Sequence, residues 1–351
     1  MSTNNYLRYT VILEPRGTFK GEIPRSDTLF GAVSWALLLL YGPGTLDDWL
    51  SAYTGHSPPA LLSSCFPCKF DKVEGKRYFY LPMPAVGEFP LAELRDHSLA
   101  KHLKKTRFID IQIWEALREG KIGWNHIVEN LAVKGSPTED EESATYIIDG
   151  MFLRHKGNQA PQIKSASTAG TAVNRLTGGA LEGFLFYTNR IYFVDTVTYF
   201  LLYLDPDWEK KLFAALKFLE DRGIGGGVTR GSGAFDLEVT EGFPFADEDE
   251  GENWLNLSLY FPQKSEWEHI RNSEGARYSI VQRRGRIESS FYEGKKIWKR
   301  PVMMMEEGSL LPVMDSHPVY GGLIPVLKLV GGGTAMHYGF GFPVKVRGGA
   351  L

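Results

Sequence analysis

Six of the eleven residues from Gly223 to Gly233 are glycine, within the stretch DRGIGGGVTRGSGAF. A helix reads into this stretch and a strand reads out of it. Asp205–Pro206 has the form of an N-cap with Pro at the first helical position, and Trp208, Leu212, Phe213, Leu216 and Leu219 share one face of a helix that ends at Gly223. Phe235–Val239 alternates as a strand. This order excludes two nucleotide cradles, because G-x-G-x-x-G and G-x-x-x-x-G-K-[ST] both run strand, glycines, helix, and neither pattern can be placed here. A helix C-terminus carries partial negative charge, so an anion at this loop would depend on loop amides and on Arg222 and Arg230. Glycines let a phosphodiester backbone approach the main chain, and flanking arginines offer bidentate contacts to phosphate. The same glycines would also serve a tight connection that needs positive φ.

The chain has 351 residues, enough for about two domains at roughly 150 residues each. Its 39 Lys and Arg against 42 Asp and Glu give a net charge of −3, which does not announce a polyanion partner. The charges are segregated, however. Gly150–Leu181 and the stretch from Ser316 onward contain no acid, whereas acids gather in Glu139–Glu142 and Asp247–Glu252. Runs of like charge favour solvated loops, so basic faces are concealed in a near-neutral total.

Tyr6–Glu14 reads as a strand. The helix after it begins near Ser26 or Asp27, either of which can cap the first turn, and stops at Gly42–Pro43. Its body, LFGAVSWALLLLY, is apolar on almost every side, which implies burial on more than one face, and the glycines and proline leave it too short to cross a bilayer. Met1–Pro15 has no signal-peptide pattern and there are only two cysteines, so a cytoplasmic protein is expected. Leu61–Pro84 reads as strand and loop, Gly135–Ala144 and Gln159–Gly183 as mobile excursions, and Gly183–Leu204 as strand pairs. The acidic run near 247 marks a boundary between residues 1–245, with insertions over about 45–182, and residues 246–351. Glycine clusters Gly225–Gly227 and Gly331–Gly333 each precede a strand by nearly the same spacing, which raises the expectation of a duplicated β-α-β module.

Enzyme chemistry finds little purchase. Cys65-Phe-Pro-Cys68 lacks a second ligand pair for zinc, and the eight histidines form no H-E-x-x-H pattern. No metal, cofactor or catalytic residue is expected, although a lone His155 or His337 could in principle act as a base in RNA cleavage. Tyr338-Gly-Phe-Gly-Phe342 is similar to the aromatic core of an RNA-recognition strand, but it lacks the basic lead residue and has Pro343 in place of Val, so its rings are expected in the core.

Taken in order, the opening strand with IPRSDTLFGAVSWAL, then SSCFPCKF, YFYLPMP, NRLTGGALEGFLF, FLEDRGIGGGVTRGSGAF and MHYGFGFPV resemble the family of the fourth Csm subunit of type III-A CRISPR effector complexes, in the handle-binding group of the RAMP superfamily. The resemblance spans nearly the whole chain. It implies an α+β fold of two ferredoxin-like domains, the first with an inserted β-hairpin thumb. It implies a non-catalytic subunit that holds the 5′ repeat-derived handle of the crRNA and links the large polymerase-type subunit to the RAMP backbone subunits. The residues it assigns to RNA are Gly223, Gly225, Gly226, Gly227, Arg230, Gly231 and Gly233 in the glycine loop, and Asn174, Arg175, Thr177 and Gly178 near the thumb. Asn174 stands where the family often has an acid. Arg222 flanks the loop, Lys164 lies in the acid-free basic segment, and Arg16, Lys20 and Arg25 flank the first helix; all are added as phosphate contacts. The equivalent subunit of type III-B (Cmr) complexes is the alternative within this fold, and a metal-independent RAMP endoribonuclease using a His such as His155 is a second.

Overall fold

The structure is a computed structural model that describes residues 6–55, 57–85, 97–135, 141–246, 251–287, 298–314, 319–329 and 332–347. Glu139, Asp140 and Asp247–Glu250 of the acidic runs therefore lie outside the described residues. The chain opens with β1 (Leu7–Pro15), β2 (Phe19–Lys20), α1 (Ser26–Tyr41), α2 (Pro43–Ala52), β3 (Ala60–Leu62), β4 (Phe66–Asp71) and β5 (Lys76–Pro82). An insertion follows: α3 (His97–Leu103), β6 (Phe108–Asp110), α4 (Ile111–Arg118), α5 (Trp124–Glu129), β7 (Leu131–Val133), β8 (Tyr146–Asp149) and β9 (Phe152–His155). A long hairpin, β10 (Gln162–Val173) and β11 (Ala180–Val194), leads into β12 (Thr196–Leu204), a single 3-10 turn at Pro206–Trp208, α6 (Glu209–Arg222) and β13 (Phe235–Glu241). The remainder is β14 (Asn253–Asn256), α7 (Lys264–Arg271), β15 (Ile280–Arg283), β16 (Val302–Met305), β17 (Leu310–Pro312), β18 (Leu323–Lys328), β19 (Thr334–Tyr338) and β20 (Pro343–Val346).

The first part is built on one mixed sheet in the order β13-β1-β12-β4-β5-β6-β9-β8-β7, with β3 also paired to β12. Its ladders are antiparallel except for β6 with β9 and β7 with β8. β12, TVTYFLLYL, is buried at every position. A strand covered on both faces needs no polar alternation, which is why this run is apolar apart from Thr196 and Thr198. α1 and α6 pack together, and α1 also contacts α2, β3 and β19, so its apolar body is covered from several sides. Its last turn is less covered, with Leu39, Leu40 and Tyr41 38%, 41% and 44% exposed.

Three features differ from the sequence reading. Gln159–Gly183 is not an irregular excursion: most of it is strand, β10 and the start of β11, paired with each other in one hairpin. Its Ser, Thr, Ala and Gly residues carry no alternating apolar signal because most of the strand faces solvent. β11 and β12 are also not paired to each other; the chain turns between them at Asp195, whose φ is +43°. The glycine clusters are not equivalent either. Gly225–Gly227 follows a helix, whereas Gly332 and Gly333 lie between strands β18 and β19.

Residues beyond β13 form a three-stranded sheet, β17-β14-β20, and two two-stranded ladders, β15-β16 and β18-β19. They do not stand apart from the first part, because Leu255, Leu257, Tyr338, Phe340, Phe342 and Val344 join the same buried cluster as Leu29, Phe30, Tyr53 and Tyr203. The Phe342 ring stacks on Tyr203 at 4.9 Å, Phe340 lies 5.3 Å from Tyr53, and Tyr338 lies 5.2 Å from Phe30. Tyr338 also accepts a hydrogen bond from the Leu62 amide at 2.9 Å. The rings of the YGFGF run are thus core, as the sequence led us to expect.

The start of α1 is tied to the second part by charge. Of the two expected caps, Asp27 Oδ1 accepts from the Thr28 amide at 2.8 Å, an amide that with that of Leu29 also donates to the Arg25 carbonyl, whereas Ser26 Oγ accepts from the Leu259 amide at 3.0 Å. Asp27 faces Arg283, with Oδ2 3.0 Å from Nε and Oδ1 3.1 Å from a terminal guanidinium nitrogen. Burial alone would raise the Asp27 carboxyl, but Arg283, His337 and Arg25 overcome it and hold it below its ordinary range. His337 Nε2 lies 3.5 Å from Asp27 Oδ2 at 4% exposure. Burial, helped by Lys299 and Arg283 and opposed by Asp27, pulls its pKa down to about 4.

This buried imidazole makes the fold acid-sensitive in a definite window. Unfolded chains bind a proton on His337 as pH falls through 6.5, whereas folded chains do so only near 4, so its stabilising share is complete above 6.5 and is lost from there to about 4. The loss amounts to about 3 kcal/mol at most. Asp27, whose carboxyl is depressed, weakens the fold only at lower pH, as the solution falls through its folded value. Urea unfolding at pH 7 and pH 4.5 should show a clearly smaller drop for His337→Gln than for the unmodified chain; equal drops would remove His337 as the cause.

Candidate nucleic-acid interface

The glycine loop is held open by its own backbone. Gly223, Gly225, Gly227, Gly231 and Gly233 all have φ between +75° and +91°. The Ile224 amide donates to the Gly233 carbonyl, the Ser232 amide to Gly227, and the Gly233 amide to Thr18. A Cβ on Gly233 would stand 2.0 Å from the Ile224 carbonyl oxygen, so no side chain fits there. Gly225 also needs its positive φ, but nothing lies within 4 Å of its missing Cβ.

This loop meets the β10–β11 hairpin through the short strand β2. β2 pairs with β11 in the register Lys20 with Arg190 and Phe19 with Ile191, and Phe19 packs edge-on against Phe193 at 5.2 Å. Arg190 donates to Thr18 Oγ1 at 3.0 Å and to Ser232 Oγ at 2.8 Å, which ties hairpin, β2 segment and glycine loop together. The Arg230 guanidinium sits over the Phe186 ring at 5.4 Å. Phe186 in turn lies across Gly170, where a Cβ would stand only 2.8 Å from the ring. The Lys20 stem runs beside Gly226 and Gly227, with Cδ 3.3 Å and 3.5 Å from where their Cβ atoms would be.

The residues singled out from sequence thus fall into three places. Lys20, Arg230 and the glycines lie along the hairpin between Arg190 and Phe186, Arg222 ends α6 at the loop, and Lys164 is nearer the hairpin base opposite Tyr192. Arg16 lies at the loop's edge, where it donates to the Glu220 carbonyl at 2.6 Å and faces Asp236 at 3.5 Å. Asn174, Arg175, Thr177 and Gly178 are at the hairpin tip, roughly ten strand residues, about 30 Å, from the base. There Asn174 Oδ1 accepts from the Leu176 and Thr177 amides at 2.9 and 3.4 Å, the task a carboxylate would perform at this position. Arg175 and Leu176 are left exposed beyond it.

Arg25 belongs to none of these. It pairs with Glu307 and lies 3.4 Å from Glu306, largely buried, so it joins α1 to the second part and is not available to a phosphate. His155 ends β9 on the far side of the large sheet from β13, and its Nδ1 accepts from the Gly157 amide at 3.3 Å. Cys65 and Cys68 are both buried free thiols, and burial pushes the Cys68 pKa up to about 12. Among the described residues no group of three or more His, Cys, Asp or Glu could hold a metal, and no helix is long and apolar enough to cross a membrane.

Sequence reasoning missed Arg190, Phe186, Thr18 and Ser232. Nothing in the linear pattern pairs Arg190 with Ser232 across 42 positions. The glycine at 170 opposite an aromatic was the one available signal for Phe186. Lys20, Lys164, Arg175, Arg222 and Arg230 make no ion pair with a carboxylate among the described residues, and the hairpin also exposes Phe184, Leu185 and Tyr187 by 60%, 61% and 69%. Unpaired cations beside exposed rings and bare backbone suit a single-stranded polyanion.

The sequence model of the CRISPR Csm4 C-terminal domain matches residues 249–326. Two curated Csm4 proteins are similar over longer stretches. The one from Thermococcus onnurineus (strain NA1) is 27% identical over 66% of this chain and 68% of its own length, and that from Methanocaldococcus jannaschii is 26% identical over 83% of this chain and 79% of its own. By its second part and by these two relatives, the chain is similar to the Csm4 family. A solved Csm3–Csm4 subcomplex of the type III-A CRISPR-Cas interference complex has a chain of the same fold, with TM-score 0.65 at 20% identity over 97% of this chain and 99% of that one. A Csm1–Csm4 cassette in complex with pppApA contains another, with TM-score 0.56 at 21% identity over 97% and 98% of the two chains.

The loop geometry carries its own test. Gly225→Ala bears only the strain of positive φ, about 1 kcal/mol, whereas Gly233→Ala adds a backbone collision and should cost about 2 kcal/mol more. Denaturant unfolding of the two variants side by side measures the difference; equal losses would contradict the close approach of Gly233 to Ile224.

Proposed function

We propose that this chain is a Csm4-type, non-catalytic RNA-binding subunit of a type III-A CRISPR effector complex, acting in the cytoplasm. It holds the 5′ repeat-derived handle of the crRNA and joins the large polymerase-type subunit to the RAMP backbone subunits. The observation that carries this reading is the convergence of Lys20, Arg190, Arg230 and the open glycine loop on the hairpin between Arg190 and Phe186. Bare loop backbone lets phosphates approach, and Arg230 and Lys20 supply the charge. The hairpin β10–β11 serves as the thumb, extending the surface to Arg175 at its tip. The partners follow from relatives whose solved structures contain Csm3 or Csm1 beside Csm4.

The domain division at 1–245 and 246–351 and the ferredoxin-like character of each half are part of this proposal. For the first half the support is the strand order β13-β1-β12-β3, with α1 after β1 and α6 after β12. That is the order a β-α-β-β-α-β repeat adopts in an antiparallel sheet.

Fluorescence anisotropy on an RNA carrying the 5′ handle, against a scrambled handle over a salt series and with a gel check for cleavage, tests the function. Preferential binding, intact RNA and a fall in affinity with salt are expected. The double variant Arg175→Ala with Arg230→Ala should weaken binding about tenfold or more and lower the salt slope by about 1.4. Unaltered binding would reject the site, and cleaved RNA would reject the non-catalytic role.

A further inference from the structure

The end of β15 and the residues after it sort their arginines by side. Arg283 points inward, where it meets Asp27 and, at 2.5 Å, Glu22. The next residue outward, Arg284, and Arg286 beyond it both lie over the exposed ring of Trp298, with guanidinium carbons 5.2 and 5.1 Å from its centroid. Arg286 and Trp298 face each other across an antiparallel bridge. Trp298 is 50% exposed, and on the neighbouring β15–β16 ladder Ile280 and Met303 are 50% and 55% exposed. Arg284, Arg286 and the neighbouring Arg300 are exposed and form no ion pair with a carboxylate among the described residues. Two guanidiniums held on one indole, with no carboxylate against them among the described residues, make an anion receptor whose flat faces also accept a base.

We propose that Arg284, Arg286 and Trp298 form a second RNA contact, on the second part of the chain, which takes a phosphate between the two guanidiniums and a base against the exposed planar groups. It rests on the function proposed above in one respect: the strand it holds continues from the glycine loop. The link is physical. Lys20 lies at the loop, Glu22 follows two residues on, and Arg283, the inward neighbour of Arg284, clamps Glu22. Because Arg283 pairs with Glu22, the acid between the two contacts repels a passing phosphate less than a free carboxylate would. A cation pair on an aromatic ring suits single-stranded RNA better than an acidic protein segment, which offers charge but no bases to stack.

The test uses the full chain and the handle RNA extended by eight unpaired nucleotides, with three variants: Arg284→Glu with Arg286→Glu, Trp298→Ala, and Trp298→Phe as the conservative control. Arg284→Glu with Arg286→Glu is expected to weaken binding at least tenfold and reduce the salt slope by about 1.4. Trp298→Ala is expected to weaken binding severalfold, with Trp298→Phe largely restoring it, and ultraviolet crosslinking should join RNA to the peptide bearing Trp298. These residues are exposed, so unchanged melting temperatures confirm that the fold is intact. Arg175→Ala with Arg230→Ala separates the two readings. If that variant binds normally while the Arg284/Arg286 variant does not, this second contact stands and the glycine-loop site falls. If the Arg284/Arg286 variant binds RNA normally, or loses only a partner protein, the proposal is overturned, as it is if the unmodified chain binds no RNA at all.

Discussion

Much of this structure depends on the alternation of rings and glycines in Tyr338-Gly-Phe-Gly-Phe342. Each ring enters the core beside α1 or β12, and each glycine lies where a side chain would collide. A Cβ on Gly339 would stand 2.8 Å from Phe261 Cβ, and one on Gly341 would stand 2.8 Å from the Trp254 ring. The segment therefore packs tightly on both sides, with large rings turned toward the first part and bare backbone toward the second. Burying three such aromatics contributes several kcal/mol by area, and their edge and stacked contacts add to it. With this seam closed, α1 is fixed between the large sheet and β19, and the segment from Arg16 to Glu22 that leads into α1 is fixed too.

That segment is what assembles the interface. Arg16 bonds the Ala234 carbonyl through its amide, Thr18 accepts from the Gly233 amide, and Lys20 pairs with β11. A few residues of extended chain thus join the glycine loop to the hairpin, and Arg190 reinforces the joint. The glycine loop does not need regular structure to be rigid, since conformations available only to glycine and bonds to a neighbouring strand determine its path. Rigidity matters because ordering a mobile loop on binding would subtract from the affinity gained by phosphate contacts.

Local signals made part of this legible. The capping pattern at Asp205, the apolar face of α6 and its stop at Gly223 are short-range features, and the structure has Asp205 accepting from the Asp207 amide as the pattern implies. β12 was recognisable as a strand because its composition is β-prone from end to end. β10 was not, because an exposed strand made of Ser, Thr, Ala and Gly has the composition of a loop and is defined only by its partner. The site followed the same division. Glycines and arginines adjacent in sequence could be grouped in advance, whereas Arg190 and Phe186 come to the loop through pairings that span tens of residues. Arg25 shows the converse: a base beside a predicted helix looks available until the fold brings Glu307 to it.

The distribution of acids explains how a chain of net charge −3 can present a surface for a polyanion. Several of its carboxylates act inside the fold as counter-ions to inward-facing arginines. Asp27 and Glu22 hold Arg283, and Glu306 and Glu307 hold Arg25. These four acids share two guanidiniums, so much of their field is spent inside the fold while their charges still weigh on the total. Lys20, Arg230, Arg284 and Arg286 have no carboxylate beside them among the described residues. Their field is local, and at physiological salt it is felt over about 8 Å, which is the range on which a phosphate at the loop or at the Trp298 ring would experience it. Net charge is therefore a poor guide to partners in a chain whose acids are committed to joining its two parts, and the sign of the surface has to be read where the fold leaves cations unpaired.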